Sequence, residues 1–141
     1  MPLPRPDLMT SLILRTDFDD EGAWDSLRAA VDAAGEYPRA TYVSDRRFAG
    51  AEVPAVLAEE AAADADDRIG DVFLADTTTM SDPERPLLAV DLSYKPGRTF
   101  RVPARWFPDV AAHLSVAQLT FADYAEAVDG SGTFRGFAEG R

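Results

Sequence analysis

Apolar residues recur along this chain in short runs, and the spacing inside the runs changes from one to the next. Ser11-Leu-Ile-Leu-Arg-Thr16 reads as a first strand. From Ala23 to Ala34 the period lengthens. Trp24, Leu27 and Val31 share one helical face, acids precede and enter the first turn, and Gly35 marks the stop. Ala40-Thr-Tyr-Val-Ser44 returns to β-branched and aromatic residues, which predicts a second strand. Pro54 suits the first turn of a second helix ending near Ala63, with Val53, Val56 and Leu57 turned inward. The acids from Asp64 to Asp67 are unfavourable at a helix C-terminus and predict an exposed loop.

The stretch from Asp71 to Phe107 is the one the rest is organised around. Val72–Ala75 and Leu87–Val90 are its most apolar runs and predict strands over Val72–Asp76 and Leu87–Ser93, with the segment holding Pro83 and Pro86 as a loop between them. A short apolar run between turn signals reads as a strand buried on both faces. Pro96-Gly97 has the chemistry of a type II turn, since proline pre-sets φ and glycine accepts the positive φ that follows. Thr99–Val102 alternates, which makes it the return strand of an antiparallel hairpin. A helical piece starts at Trp106, with Pro108 tolerated near its beginning. Thr120–Val128 carries the clearest helix start, Thr120 capping and Asp123 reciprocating. Asp129-Gly-Ser-Gly132 ends that helix, and Phe134 and Phe137 are expected to dock on the domain.

Strands and helices alternate in the front half, which favours crossover connections and parallel pairing. The back half is a hairpin. The expected fold is α/β, with α+β as the alternative: one mixed sheet of about five strands, a C-terminal hairpin, and helices packed on it. Residues 1–10, with prolines at 2, 4 and 6, read as a flexible arm before a single globular domain over 11–141.

Composition removes whole classes of chemistry. The 141 residues include no cysteine and a single histidine, His113, so disulfides, thiolate catalysis and multi-histidine metal sites are excluded. No apolar run reaches the roughly 18–20 residues of a membrane span. The N-terminus lacks the apolar core of a signal peptide, so a cytoplasmic protein is expected. Fourteen basic against 25 acidic residues leave a net charge of −11. Direct nucleic-acid binding needs clustered cations, and here Lys95 is the lone lysine. An acidic surface suits solubility, metal attraction or a basic protein partner. Many alanines and arginines beside one lysine suggest a GC-rich bacterial genome.

Asp17-Phe-Asp-Asp-Glu21 follows a strand, and its D-x-D pattern resembles the opening motif of haloacid-dehalogenase-type phosphotransferases. That resemblance implies Asp17 as nucleophile, Asp19 as acid/base, and both as ligands of Mg²⁺. Mg²⁺ takes few carboxylates plus substrate phosphate, so the spacing is sensible. The pattern departs from that family later. Its lysine belongs in a helix, whereas Lys95 lies in a turn, and no late acidic pair has the right context. The plainer reading has Asp19 or Asp20 capping the helix. A second candidate is the set of acids at strand ends: Asp17, Asp45, Asp76 and Asp91. If the first three strands run parallel, Asp17, Asp45 and Asp76 converge on one rim, where α/β sheets bind ligands. The plainer reading is that aspartate ends strands and starts turns. Asp91 sits inside an apolar run and needs a partner if buried, and Arg101 across the hairpin is the natural one. Thr77–Thr79 and Ser81 offer hydroxyls without a glycine-rich loop, and His113 has no nucleophile geometry beside Ser115.

Three segments, SLILRTDFDDEGAWDSL, PLLAVDLSYKPGRTFRVP and LTFADYAEAVDGSGTFRGF, together resemble a family of small acidic actinobacterial proteins classed as a domain of unknown function. The run from Asp129 to Phe137 is the most distinctive part. The resemblance implies a bacterial single-domain protein and supplies no mechanism. Two functional readings stay open. One is a non-catalytic module that binds a basic protein partner through acids such as Asp20, Glu21, Asp45 and Asp76. The other is a small carboxylate-dependent enzyme, Mg²⁺-assisted at Asp17 and Asp19, in a biosynthetic pathway.

Overall fold

A computed structural model describes residues 3–115 and 119–136. Five strands form one mixed sheet: β1 (Ser11–Arg15), β2 (Ala40–Val43), β3 (Asp71–Ala75), β4 (Leu87–Asp91) and β5 (Thr99–Val102), in the order β2-β1-β3-β4-β5. β1 pairs parallel with both β2 and β3, while β4 and β5 add antiparallel. The α/β expectation and the hairpin hold.

The helices are α1 (Glu21–Ala34), α2 (Val53–Ala62), α3 (Thr77–Ser81), α4 (Phe107–Ser115) and α5 (Phe121–Ala125). Period-2 alternation splits the sheet into two apolar faces. Ile13, Phe73, Ala89 and Phe100 face α1, α4 and α5, whose Trp24, Leu27, Val110 and Tyr124 complete one core. Leu12, Leu14, Leu74 and Val90 face the other way, against Val56 of α2, Phe48 and Leu3. Successive crossovers thus place α1 and α2 on opposite faces of the sheet. Residues 3–10, expected as a flexible arm, lie against the domain. Leu3 is buried, and Thr41 Oγ1 accepts the Asp7 N–H at 2.8 Å and bonds the Thr10 hydroxyl at 2.6 Å.

Local signals set most element ends. Asp20 caps α1 by accepting the Ala23 N–H at 2.9 Å. Gly35 ends α1 in an extended conformation, and a Cβ there would meet Pro108 at 2.9 Å, so the glycine serves close approach to α4. Gly97 takes φ of 95°, and the Arg98 N–H reaches the Lys95 carbonyl at 3.0 Å, which makes the expected type II turn. Thr120 and Asp123 form the expected capping box, though α5 stops at Ala125, short of Val128. α3 was absent from the expectation of a loop between β3 and β4. It forms because Asp76 and Thr79 build a capping box of their own.

The C-terminal run closes the sheet edge. Asp129 accepts N–H groups from Ser131 and Thr133, Gly132 takes φ of 82°, and Thr133 bridges to Arg101 beside β5. Phe134 is buried edge-on against Tyr124 at 4.9 Å. Phe137, the other expected anchor, lies outside the described residues.

Candidate functional site

The parallel strands β1, β2 and β3 bring Asp17, Asp45 and Asp76 to the same end of the sheet, as their carboxyl ends require. Their carboxylates do not gather into one site. Asp17 Oδ1 accepts the Asp19 N–H at 3.0 Å. Asp45 caps a 3₁₀ turn through the Arg47 N–H at 3.0 Å. Asp76 caps α3 and receives both Arg101 nitrogens, each at 2.8 Å. Burial alone would raise the Asp76 pKa, but the Arg101 hydrogen bonds and charge, helped by Thr79, hold it below the ordinary value. Among the described residues no three His, Cys, Asp or Glu side chains stand where they can share a metal ion.

Cations at this rim are already engaged. Arg15 closes β1 with its side chain almost wholly buried. It donates to the Asp17 carbonyl at 2.9 Å, pairs with Glu21 at 2.5 Å, and lies over Phe18 at 4.5 Å. A buried arginine needs an opposite charge nearby to offset its desolvation, and Glu21 supplies it. Glu21, nominated for a partner, is therefore tied to the fold from one side while its own side chain stays exposed.

Between the carboxyl ends of β1 and β3, where α1 and α2 diverge to opposite faces, lies a cavity of about 510 Å³ lined by Thr16, Gly50, Glu52, Pro54, Asp76 and Thr77. Open α/β sheets bind ligands at such a switch point. Its one strand-end carboxylate, Asp76, is committed to Arg101, while Glu52, which also lines it, joins no ion pair among the described residues.

Asp91 overturns an expectation. Arg101 does not reach it. Asp91 instead accepts N–H groups from Ser93 at 2.9 Å, Tyr94 at 3.2 Å and Lys95 at 3.0 Å, and so holds the hairpin turn. The physical reason is register. Arg101 pairs with Leu88 across the hairpin, three residues from Asp91 and nearer the end of the sheet where Asp76 waits.

Sequence reasoning passed over Asp71. Register sets it directly opposite Asp91 across β3 and β4, at the end of the sheet away from the other strand-end acids. Burial, then the charges of Asp91 and Glu60, push its pKa up to about 6. An aspartate opening an apolar strand was the visible signal, but its pairing required the register.

These features define a small α/β domain with an acidic surface, whose strand-end aspartates mostly act as caps. The chain belongs to the family described as a domain of unknown function (DUF6924), which matches residues 10–137. No curated protein matches it. No helix among the described residues is long and apolar enough to cross a membrane.

Proposed function

We propose that this protein is a non-catalytic interaction module that binds a basic protein partner in the bacterial cytoplasm, in the manner of an immunity or enzyme-assisting protein. The observation that carries the reading is how charge is distributed. Arg15, Arg28, Arg47, Arg98, Arg101, Arg105 and Arg135 each pair with an acid of the same chain. Exposed Asp19, Asp20, Glu52, Asp64 and Asp66 join no ion pair among the described residues. The excess of −11 is therefore presented outward. A field of one sign steers an oppositely charged partner and makes association sensitive to salt. Asp20 and Asp45 keep exposed carboxylates while capping, so a partner can share them, whereas Asp76 is held by Arg101.

The test is affinity capture from the host on immobilised protein, at low and high salt, for wild type and for Asp19→Lys/Asp64→Lys/Asp66→Lys. None of these three side chains caps a helix. One basic protein captured by wild type, released by salt and lost with the triple variant supports the reading. Capture indifferent to both salt and charge reversal sinks it.

A further inference from the structure

The two edges of the sheet are finished differently. Along β5 the Arg101 N–H donates to the Gly132 carbonyl at 2.9 Å, and the Arg101 carbonyl accepts the Phe134 N–H at 2.7 Å. The C-terminal run thus covers that edge. β2 ends the sheet on the other side and pairs with β1 alone. In this parallel register the Ser11 N–H reaches the Arg39 carbonyl at 2.9 Å, so Arg39, Thr41 and Val43 turn their backbone groups toward β1. Alternation turns those of Ala40, Tyr42 and Ser44 outward, where they meet no backbone partner among the described residues. The extended conformation runs on through Asp45. An open row of this kind is a template for another strand, and native proteins usually blunt it.

Exposed apolar side chains collect beside the open edge. Leu8, Met9 and Tyr37 are three of the four large ones that the described residues expose. Leu8 and Met9 form the tip of a turn from Asp7 to Thr10, which Thr41 of β2 holds through the Asp7 N–H and the Thr10 hydroxyl. Met9 takes φ of 65°, a strained conformation for a residue with a side chain. The Arg39 guanidinium lies over the Tyr37 ring at 6.0 Å. Charge then selects the occupant. Glu36 and Arg39 precede the strand, and Asp45, Arg46 and Arg47 follow it. The acidic excess of the chain is absent here, so a strand from a basic protein is poorly matched. A second copy, whose acids and bases run in the opposite order across an antiparallel pair, is well matched.

We propose that two copies of this chain join β2 to β2 about a two-fold axis at Tyr42, so that one sheet runs through the dimer. The register follows from the edge. Antiparallel pairing sets the outward residues of one copy against those of the other. An axis at Ala40 or Thr41 would set an outward residue against Pro38, which has no N–H to give. An axis at Val43 would set Arg39 against Arg47. An axis at Tyr42 avoids both. Tyr42 then pairs with Tyr42 and Ala40 with Ser44 of the second copy, and Arg39 stands opposite Asp45 of the second copy, twice by symmetry. Opposite charges so placed stabilise a strand pair. The Tyr42 side chain is already held, its hydroxyl on Asp32 at 2.8 Å and its ring edge-on to Trp24, which leaves its backbone for the partner. The interface uses none of Asp19, Asp64 and Asp66, so it and the module reading stand or fall separately.

The test is sedimentation equilibrium of the full chain across a range of concentrations. The variants are Ala40→Pro, Arg39→Asp, Asp45→Arg and the exchange Arg39→Asp/Asp45→Arg. Wild type is expected to double its mass reversibly. Ala40→Pro removes an outward N–H and no bond to β1, and is expected to weaken the dimer about tenfold or more with an unchanged circular dichroism spectrum. Each single reversal is expected to weaken it by a similar factor, and the exchange to restore it. Asp45→Arg also loses the cap on the Arg47 N–H, but the exchange loses it too, so recovery reads the pair across the axis. If Ala40→Pro loses the fold, the charge exchange alone decides. Wild type that stays monomeric up to about 1 mM overturns the interface. So does a dimer indifferent to Arg39→Asp or to folded Ala40→Pro, or a loss that the exchange leaves unrestored.

Discussion

Arg101 grips Asp76 through two hydrogen bonds of 2.8 Å, one to each carboxylate oxygen, and so ties β5 to the end of β3 across the intervening β4. The same carboxylate caps α3, and Arg101 also donates to the Pro86 carbonyl at 3.3 Å. One aspartate thus joins three elements.

Replacing Asp76 with alanine removes a cap and leaves the Arg101 fork unpaired in a half-buried setting. The expected loss is about 2–4 kcal/mol, against about 1 kcal/mol for the simple cap of Asp45→Ala. Urea denaturation of both variants checks the ratio, and equal losses would reduce Asp76 to a cap. The pH dependence has a definite sign. Asp76 is held below its unfolded value, so its contribution is present above that value and is lost as pH falls through the folded one.

Asp71 has the opposite sign. Its folded pKa, about 6, lies above the ordinary 3.8. Ionising it therefore weakens the fold as pH rises from about 4 through about 6. Asp71→Asn is expected to be more stable than wild type at pH 7, by up to about 3 kcal/mol from a shift of roughly two units. The gain should vanish near pH 4. Denaturation at the two pH values measures it, and a variant less stable than wild type at pH 7 would contradict the account of a carboxylate set against Asp91 and Glu60.

Mg²⁺ at Asp17 and Asp19 is the alternative reading's requirement. With Asp17 Oδ1 engaged by the Asp19 amide, thermal-shift titration with Mg²⁺ or Mn²⁺ is expected to be flat. A saturable rise in Tm that disappears in Asp17→Asn/Asp19→Asn would install the metal-dependent enzyme instead, because ligand binding raises Tm by mass action.

Phe134 anchors the C-terminal run, packed against Tyr124 at 4.9 Å and Trp106 at 6.0 Å. Phe134→Ala is expected to lose about 3–5 kcal/mol, the range for emptying a buried aromatic site. Arg135→Ala removes only surface pairs to Glu84 and Asp129, which solvent screens, and should cost far less than Phe134→Ala. Thermal melts of the two variants separate packing from charge as the reason for this run.

Residues close in sequence carried much of the fold on their own. The α1 face of Trp24, Leu27 and Val31, the cap at Asp20, the box at Thr120 and Asp123, and the turn at Pro96-Gly97 were all legible because each signal and its consequence lie within a few residues. α3 was missed although its box is local, because Asp76 was read as a strand end and the prolines beyond it as a loop. The partners of Asp76, Asp91 and Asp71 were beyond local reading. They depend on strand order and register, which arise from how both apolar faces of the sheet pack at once. A shift of a single residue between β3 and β4 would part Asp71 from Asp91, and a shift between β4 and β5 would carry Arg101 away from Asp76. Composition and local pattern determined an acidic α/β domain with its hairpin, most of its helices and the caps at Asp20 and Thr120. Tertiary structure alone decided which carboxylates are spent on the fold, because strand order and register bring their partners together from distant parts of the chain.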